Sequence, residues 1–374
     1  MLETVSYILA NGLDSLVERY AIKAARGRRF GNLVCLKYSQ INSPMHEPIV
    51  RECRGLVLDE ADGYRIVCRS FDKFFNFGEP NAAAIDWATA KVFEKLDGSL
   101  CSLYCYRDEW QVATTGTPDG AGQLNDTDTT FAALFWKTFK ELGYRLPADS
   151  GPRANRIVYM FELMTPLNRI VVRHARPRLA LIGVRDLDLG ELEPEPLAQA
   201  MGWEVAQSFP LRCLEDCLSV CNQLDPMQAE GYVVCDSAFR RVKIKSPRYV
   251  ALAHLKEVMS GRRLLEIARG NESGEFLTYF PEFADAFNRV NQEFVSLCDE
   301  LEAAFVSIKH ITDQKAFALE AGKTRCSAPL FSLRKGNCRT VREFFAKVNL
   351  AALERVLRVD LDSLIGGQEM EANG

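Results

Sequence analysis

The chain has 374 residues, of which 47% are hydrophobic and 26% charged, with 46 Lys and Arg against 50 Asp and Glu. This composition is typical of a globular protein, and a formal net charge of −4 excludes a uniformly basic nucleic-acid-binding protein while allowing a local basic face. The length predicts two or three domains at roughly 100–200 residues each. No apolar run approaches the roughly 18 residues of a membrane-spanning helix. Residues 1–23 predict one amphipathic helix without the features of a signal peptide.

The first 250 residues predict strands joined by short turns. Residues 54–59 and 64–70 flank Ala61-Asp62-Gly63, and an Asp-Gly turn is typical of a hairpin because it tolerates positive φ. Further strands are predicted over residues 91–93, 99–106, 109–115, 156–164, 179–184, 231–235 and 240–246. Helices are predicted over residues 130–142 and 196–201, the second with a proline at its first position.

Twelve cysteines are present without a Cys-x-x-Cys pair. Cys213, Cys217 and Cys221 are four residues apart and would share one face of a helix. Because no histidine has the spacing of a further metal ligand, we interpret them as thiols on a packed helix. This cysteine usage favours a reducing, intracellular setting, and we expect a cytoplasmic protein, in keeping with a phage-encoded one in a bacterial host.

The pattern becomes helical in the last third. Apolar residues recur there at spacings of three and four, as on one face of an amphipathic helix: Phe287, Val290, Phe294, Leu297, Leu301, Phe305 and Ile308. Thr340 and Glu343 have the spacing of a capping box. We therefore predict an α+β domain over residues 1–250 and an all-α domain over residues 251–374.

Two short motifs in the first domain combine lysines with carboxylates. Lys95-Leu96-Asp97-Gly98-Ser99 follows a predicted strand, and an ordinary surface turn would also explain it. Glu230-Gly231 precedes Val242-Lys243-Ile244-Lys245, where strand alternation places both lysines on one face and Ile244 on the other. Two ammonium groups on one face repel unless an anion lies between them. A polyphosphate would serve, and an edge strand protected by lysines is the alternative.

A lysine nucleophile at position 95 would need its neutral amine, although the pKa of free lysine is near 10.4. Lys243 and Lys245 nearby would lower the pKa of Lys95. The same cations would offset negative charge on a phosphate under attack. A hydrated Mg²⁺ or Mn²⁺ bridging phosphate oxygens is predicted at three carboxylates, those of Asp97, Glu162 and Glu230.

These motifs carry a resemblance to known families. Lys-x-Asp-Gly, Phe161-Glu162, Glu230-Gly231 and Lys243-Ile244-Lys245 occur in the order of the covalent nucleotidyltransferase superfamily, which includes ATP-dependent ligases and mRNA-capping enzymes. Within it, the chain is most similar to the phage-type tRNA-repair ligases of the RNA ligase 1 family. Four strings carry that narrower resemblance: Glu52-Cys53-Arg54-Gly55, Lys73-Phe74-Phe75-Asn76, Lys95 to Ser99, and Pro166-Leu167-Asn168-Arg169-Ile170-Val171.

The resemblance implies a fold and a reaction. The fold is a nucleotidyltransferase domain of ATP-grasp-like antiparallel sheets with the nucleotide in the cleft between them, followed by an all-α domain. Lys95 attacks the α-phosphate of ATP and keeps AMP, the AMP passes to an RNA 5′-phosphate, and an RNA 3′-hydroxyl then displaces AMP. The implied contacts with the nucleotide are Lys243 and Lys245 at the α-phosphate, Glu162 at the ribose or metal hydration shell, Glu230 as a metal-organising acid, and Val233 with residues 179–184 along the adenine. Arg54 and Lys73 are implied near the triphosphate or the incoming phosphate, with Phe75 beside these groups.

The chain departs from the family at Thr115-Gly116-Thr117, where the family usually has Lys or Arg before Gly-Ser, so a cationic phosphate contact is missing there. Structural roles stay open for other residues. Arg54 would alternatively pair with Glu52 or Asp59. Of the two consecutive phenylalanines, we expect Phe74 to be the core residue, and Tyr249 has a core role as its alternative.

A basic segment in the predicted helical domain is the expected RNA contact. Residues 321–342 contain no acidic residue, and the predicted RNA-binding residues are Lys323, Arg325, Arg334, Lys335 and Arg339. Binding through such a segment should weaken as salt rises, and a solvated loop between helices is the alternative. Because the family's helical domain is associated with tRNA recognition, we expect nicked tRNA or single-stranded RNA ends as partners, a monomer, and no membrane association.

Three other functions remain as alternatives. A DNA ligase or a GTP-dependent capping enzyme would usually append a β-barrel after the paired lysines, whereas helical periodicity follows them here. A non-catalytic RNA-binding protein would have no need to retain the complete set of lysines and carboxylates.

Overall fold

The computed structural model describes residues 2–40, 42–124, 128–147, 154–257, 260–270, 277 and 283–361. The chain divides between His254 and Leu255 into two compact units. Within the described ranges, no helix is both long enough and apolar enough to cross a membrane.

The first unit is built on three sheets. Its strands are β1 (Ile22–Arg26), β2 (Leu33–Tyr38), β3 (Arg54–Asp59), β4 (Arg65–Cys68), β5 (Phe75–Asn76), β6 (Lys91–Lys95), β7 (Ser99–Tyr106), β8 (Glu109–Ala113), β9 (Ile157–Met164), β10 (Arg178–Asp186), β11 (Gly190–Leu192), β12 (Glu204–Val205), β13 (Ser208–Phe209), β14 (Gly231–Cys235) and β15 (Arg241–Lys245). The N-terminal sheet has the order β1-β2-β3-β4, the central sheet β11-β10-β9-β7-β8 with β12 beside β10, and the lysine sheet β13-β6-β14-β15-β5. Of these pairings, β10–β12 and β15–β5 are parallel, and the others are antiparallel.

The helices are short in the first unit and dominate the second. They are α1 (Glu3–Asn11), α2 (Leu13–Tyr20), α3 (Pro48–Glu52), α4 (Phe131–Glu141), α5 (Glu195–Met201), α6 (Leu214–Cys221), α7 (Pro247–Glu257), α8 (Gly261–Gly270), α9 (Ala284–Ile308), α10 (Gln314–Ala321), α11 (Ala328–Arg334), α12 (Val341–Lys347) and α13 (Leu350–Glu354). No strand occurs after β15 among the residues the structure describes. The predicted α+β fold of antiparallel sheets followed by a helical region is therefore confirmed.

Residues 1–23 do not form the single helix that was predicted. They form α1 and α2, and β1 follows from Ile22. The break lies at Gly12, whose amide donates to the carbonyl of Ile8 and closes α1. Both helices pack their apolar side chains, including Leu16, onto one face of the N-terminal sheet, so the amphipathic pattern was interpreted correctly and the break was missed.

The apolar faces of the sheets form separate cores. The cleft is the side on which the central sheet and the lysine sheet face each other. The central sheet buries Phe135 of α4, Phe161 and Trp203 on one side. The lysine sheet packs Ile244 against Cys217 and Cys221 of α6, so these cysteines are buried free thiols as predicted. The opposite faces of these two sheets meet in a smaller apolar cluster that borders the candidate site.

The long helix α9 follows the predicted stripe. Phe287, Val290, Phe294 and Leu297 are buried along it. Thr340 caps α12 by accepting a hydrogen bond from the backbone of Glu343. The Glu343 carboxylate accepts instead from the amide of Arg339, so only half of the predicted capping box forms.

Candidate active site

One face of the lysine sheet carries the residues that the sequence singled out. The register aligns Gly231 of β14 with Lys95 of β6 on one side and Lys245 of β15 on the other. Two residues along β14, Val233 is aligned with Phe93 and Lys243 in the same way. Because alternate residues of a strand share a face, all these side chains lie on the cleft side, and Ile244 lies on the core side as predicted.

Glu230 joins two of the three lysines. Its Oε2 lies 2.6 Å from Lys95 Nζ, and its Oε1 lies 3.0 Å from Lys245 Nζ. The Glu230 side chain is only 3% exposed, so both ion pairs are shielded from water and each is stronger than a surface pair. A buried carboxylate therefore fixes the direction in which the Lys95 amine points.

Two positions in the motifs require glycine for steric reasons. A Cβ at Gly98 would lie 2.4 Å from the carbonyl oxygen of Leu163, so only glycine lets the loop after β6 approach β9. Gly231 has a φ of +150°, and a Cβ there would lie 2.1 Å from the carbonyl oxygen of Ile244. Both glycines bring a charged neighbour, Asp97 or Glu230, close to Lys95.

The pKa of Lys95 is shifted in the direction opposite to the prediction. Burial alone would lower it, but the carboxylates of Glu230, Glu162 and Asp97 outweigh burial and hold the Lys95 pKa above its ordinary value. The prediction that Lys243 and Lys245 depress it is therefore wrong for this state. The physical reason is that Glu230 lies in hydrogen-bond contact with Lys95 and favours its charged form.

Lys243 is the lysine whose pKa is depressed, well below its ordinary value. Burial is the largest cause, followed by four cations: Arg54, Lys95, Lys73 and Lys245. Lys243 has no carboxylate partner within the described ranges. The structure thus brings together the predicted phosphate-binding cations in one buried patch whose charge calls for an anion.

Arg54 makes neither of the ion pairs that were its alternatives. Glu52 accepts instead from Thr4, and Asp59 from Asn32 and Tyr106. The Nε and Nη1 atoms of Arg54 are buried without a protein partner in the described part of the chain. Buried guanidinium donors without acceptors are costly, and an anionic ligand would satisfy them.

Both phenylalanines contact cations, and Phe75 rather than Phe74 is the buried one. Phe75 is the buried residue, 5% exposed, with Lys73 Nζ 5.7 Å from its ring centroid. Half-buried Phe74 lies between cations, since Arg54 is 5.5 Å and Lys243 4.9 Å from its ring centroid. Phe74 and Phe75 therefore both present aromatic faces to the cation patch.

Asp97 has a structural role that the sequence did not indicate. Its Oδ2 accepts from the amides of Val171 and Val172 at 2.9 and 2.7 Å, and its Oδ1 accepts from the Tyr249 hydroxyl at 2.7 Å. The Nε2 of His174 lies 2.9 Å from the Asp97 carbonyl oxygen. These bonds tie the loop after Lys95 to two distant segments of the chain. Sequence reasoning missed His174, because nothing in its local pattern marks it.

No group of three metal-ligating side chains converges among the described residues. Glu162 lies close enough to Glu230 for each charge to affect the other. Burial, opposed by Lys95 and assisted by Glu230, raises the pKa of Glu162 to about 7. Glu162 has no hydrogen-bond or ion-pair partner in the described part of the chain, so its carboxylate is the one with free capacity for a ligand.

We predict a pH-dependent stability difference for Glu162→Gln. A carboxyl whose pKa rises from 4.5 to about 7 on folding binds more protons in the native state, so stability falls as pH rises through that window. The variant lacks this loss. Its free energy of unfolding should therefore rise by up to about 3 kcal/mol relative to that of the wild type as the pH increases from 4.5 to 7. Urea unfolding of both proteins at pH 5 and 7.5 checks this. Equal pH dependence in the two proteins would contradict the buried environment of Glu162.

The predicted adenine slot is only partly correct. Leu179, Leu181 and Val184 point into the core of the central sheet, away from the cleft. Ala180 and Ile182 lie on the cleft side and pack with Phe93 of the lysine sheet. Strand alternation, shifted by an irregularity between Leu181 and Gly183, explains the division. Phe93, aligned with Val233, completes an apolar wall and was missed because a strand aromatic is ordinarily read as core.

The turn at Thr115 replaces the family's cation with polar groups. The Thr114 hydroxyl accepts hydrogen bonds from the amides of Gly116 and Thr117, both at 3.3 Å. Asn168, in the family string 166–171, closes a capping box with Thr165 and donates to Ser99 at 2.9 Å. These contacts order the rim of the site without adding charge.

The predicted RNA-binding residues of the second unit separate into two groups. Arg325 pairs with Glu293 at 2.5 Å and Glu300 at 3.2 Å, and it is only 12% exposed. Arg334 stacks on Phe317 at 4.2 Å and donates to the carbonyl of Thr312. These two arginines hold helices together, a role that the sequence did not indicate. The exposed members of the set are Lys323, Lys335 and Arg339. Of these, Lys323 pairs with Glu320.

The chain is similar to proteins of known families. A family model described as RNA ligase matches residues 52–249. The RNA ligase of Rhodothermus phage RM378 is 26% identical over 365 residues, covering 79% of this chain and 81% of that protein. RNA ligase 1 of bacteriophage TS2126 is 31% identical over 209 residues, 51% of this chain and 49% of that protein, so the chain spans about half of that relative's length. An archaeal ATP-dependent RNA ligase structure shares 14% identity over 75% of this chain and 74% of that chain, with a TM-score of 0.44.

Proposed function

Since the chain belongs to the RNA ligase family, whose model matches residues 52–249, we propose that it uses ATP to join an RNA 5′-phosphate to an RNA 3′-hydroxyl through lysyl-AMP on Lys95. The observation that carries this proposal is the position of the Lys95 amine. It lies 2.6 Å from the buried Glu230 carboxylate, on the sheet face that also presents Lys243 and Lys245. A nucleophile, a proton acceptor and a phosphate-binding patch thus lie together.

In the first step, the Nζ of Lys95 attacks the α-phosphorus of ATP. The bond from that phosphorus to the bridging oxygen breaks, and pyrophosphate leaves with its electrons. Glu230 is the acceptor for the proton that the ammonium must lose first, because its Oε2 is already in hydrogen-bond contact. The unpaired donors of Arg54 and the cations around Lys243 offset the charge that develops on the phosphate oxygens.

A divalent cation fits one part of this site. Glu162 has free acceptor capacity beside Glu230, and carboxylate oxygens suit Mg²⁺ or Mn²⁺. When bound there, the cation would supply positive charge that favours the neutral Lys95 amine.

The later steps reuse the same groups. An oxygen of the RNA 5′-phosphate attacks the AMP phosphorus, and the phosphorus–nitrogen bond breaks to return Lys95. The 3′-hydroxyl of the second RNA end then attacks the 5′-phosphorus, forming the phosphodiester and expelling AMP. The cations that offset charge in the first step serve each attack. The adenine is held against the apolar wall of Phe93, Val233, Ala180 and Ile182.

A labelling assay tests this proposal. The protein is incubated with α-labelled ATP or GTP and Mg²⁺, then denatured and analysed for label bound to protein. We expect label from ATP, and label released to 5′-phosphorylated RNA but not to 5′-phosphorylated DNA. Label from GTP would favour a capping enzyme, transfer to DNA a DNA ligase, and no label a binding protein.

We further propose that the physiological substrate is nicked tRNA, from the resemblance to the tRNA-repair ligases. The assay compares sealing of a tRNA cut in its anticodon loop with sealing of a single-stranded oligomer of the same end sequence. A clear preference for the tRNA is expected. Equal rates would limit the substrate to single-stranded RNA ends.

We predict that Lys335→Ala combined with Arg339→Ala weakens RNA sealing and leaves self-adenylylation unchanged. Both cations are exposed in the second unit, and loss of two phosphate contacts reduces the slope of log affinity against log salt by roughly 1.4–1.8. Nicked-tRNA sealing at two salt concentrations measures this. Lys315→Ala, another exposed cation of the helical unit, is the matched control. An equal loss of self-adenylylation would contradict a role in RNA docking.

A further inference from the structure

A cavity of about 200 Å³ lies beside the cation patch. Its walls include Phe71, Phe74, Phe75 and Phe239. Pockets for small-molecule ligands are usually about 300–1,000 Å³, so this cavity admits a smaller flat group such as a single base. Phe74 of the cavity wall also lies against Arg54 and Lys243, so the cavity adjoins the proposed nucleotide site. The cavity is separate from the apolar wall that we assign to adenine.

The charges around the cavity suit a phosphate at its mouth. Three of its charged side chains are already neutralised, because Arg241 pairs with Glu191 at 2.6 Å and Asp72 pairs with Arg69 at 2.7 Å. Lys73 instead lies over the rings of Tyr38 and Phe75 at 5.3 and 5.7 Å. Among the described residues, neither Lys73 nor Arg51 of the cavity wall has a carboxylate partner. An aromatic pocket with unneutralised cations matches a base joined to its phosphate.

Phe239 is held in an unusual backbone conformation at this cavity. Its φ is +58°, a region that bulky side chains rarely occupy. The hairpin is fixed around it by Asp236, whose carboxylate accepts from the amides of Ala238 and Arg240. Its ring lies 5.7 Å from the Arg241 guanidinium, which in turn covers Phe71 at 4.5 Å. Surroundings that keep a bulky ring in a strained position are often those of binding sites.

The geometry of phosphoryl transfer favours a base of the RNA strand as the occupant of the cavity. Attacking and leaving groups lie roughly in line, so pyrophosphate leaves from the side opposite Lys95. The RNA 5′-phosphate that later displaces Lys95 must arrive from that same side. Building on the proposed function, we propose that the cavity receives the first base of the 5′-phosphorylated RNA strand, with Phe239 as its stacking surface and Lys73 and Arg51 beside its phosphate.

The test separates the transfer step from self-adenylylation. Phe239→Ala, Phe239→Trp and a surface control, Leu189→Ala, are loaded with labelled AMP and given a 5′-phosphorylated RNA oligomer. Leu189 is 79% exposed and does not line the cavity. Loss of base–aromatic stacking should raise the KM for this RNA roughly tenfold in Phe239→Ala. Phe239→Trp and the control should match the wild type, and all four proteins should self-adenylylate equally.

An abasic probe makes the inference specific. With an oligomer that lacks the base of its first nucleotide, the wild type should lose the same factor as Phe239→Ala, and the variant should lose nothing further. Additive losses, unchanged transfer in Phe239→Ala, or a raised KM for ATP would each overturn the assignment. If the wild type itself takes no label from ATP, the proposed function fails instead, so the two failures are distinguishable.

Discussion

Replacing Lys95 with alanine is expected to abolish covalent labelling by ATP, a loss of at least about 1,000-fold, because the nucleophile is removed. The measurement is label retained on protein after denaturation. Lys91→Ala is the matched control, since Lys91 lies on the same strand and pairs with Glu193 at the surface. It should label like the wild type.

The same variant separates the steps of ligation. Supplied with RNA that already carries a 5′-adenylate, Lys95→Ala needs no lysyl-AMP, and we expect it to retain sealing while failing with 5′-phosphorylated RNA and ATP. Label retained in Lys95→Ala would show that another residue is the nucleophile. A loss in both assays together with a lowered melting temperature would reflect folding, and a Lys95→Met variant, which keeps most of the apolar stem, would then repeat the test.

Replacing Glu230 with glutamine is expected to produce the second largest effect. The change keeps the shape and removes the charge that pairs with Lys95 and Lys245. Because Glu230 is the foremost cause of the raised Lys95 pKa, the acid limb of the self-adenylylation rate should move to lower pH. The maximal rate should still fall roughly 100-fold or more, since the proton acceptor is lost.

Stability provides an independent measurement on Glu230→Gln. Removing one partner of a buried ion pair costs roughly 3–5 kcal/mol, and here two lysines lose their partner together. Glu193→Gln is the matched control, because its pair with Lys91 is about half exposed and should cost less than about 1 kcal/mol. An unchanged acid limb in Glu230→Gln would contradict the ion pair as the cause of the Lys95 pKa.

Most strands of the two sheets at the candidate site follow from local sequence, whereas β1, β2, β5 and β11 to β13 were not predicted. Eight predicted strands match β3, β4, β7, β8, β9, β10, β14 and β15 within two residues at each end. The pattern also placed Lys243 and Lys245 on the face opposite Ile244. Such assignments depend on side-chain periodicity along one strand, which tertiary contacts do not alter.

The charge state of the site was beyond local reasoning. Glu230 is 135 positions from Lys95, and Tyr249 is 152 positions from Asp97. Charge interactions depend on distance in space and on burial, and sequence spacing defines neither for such remote pairs. The direction of the shift in the Lys95 pKa and the structural role of Asp97 therefore became visible only in the folded chain.

By itself, the sequence indicated most strands of the two sheets at the candidate site, the candidate nucleophile and the set of cations and carboxylates, because these are local patterns of residue type. The tertiary structure decided which of them meet. It brought both Phe74 and Phe75 to the cation patch and Arg325 and Arg334 to helix packing. Residue type defines what a side chain can do, whereas its neighbours, brought together by folding, define its charge, its exposure and its partner.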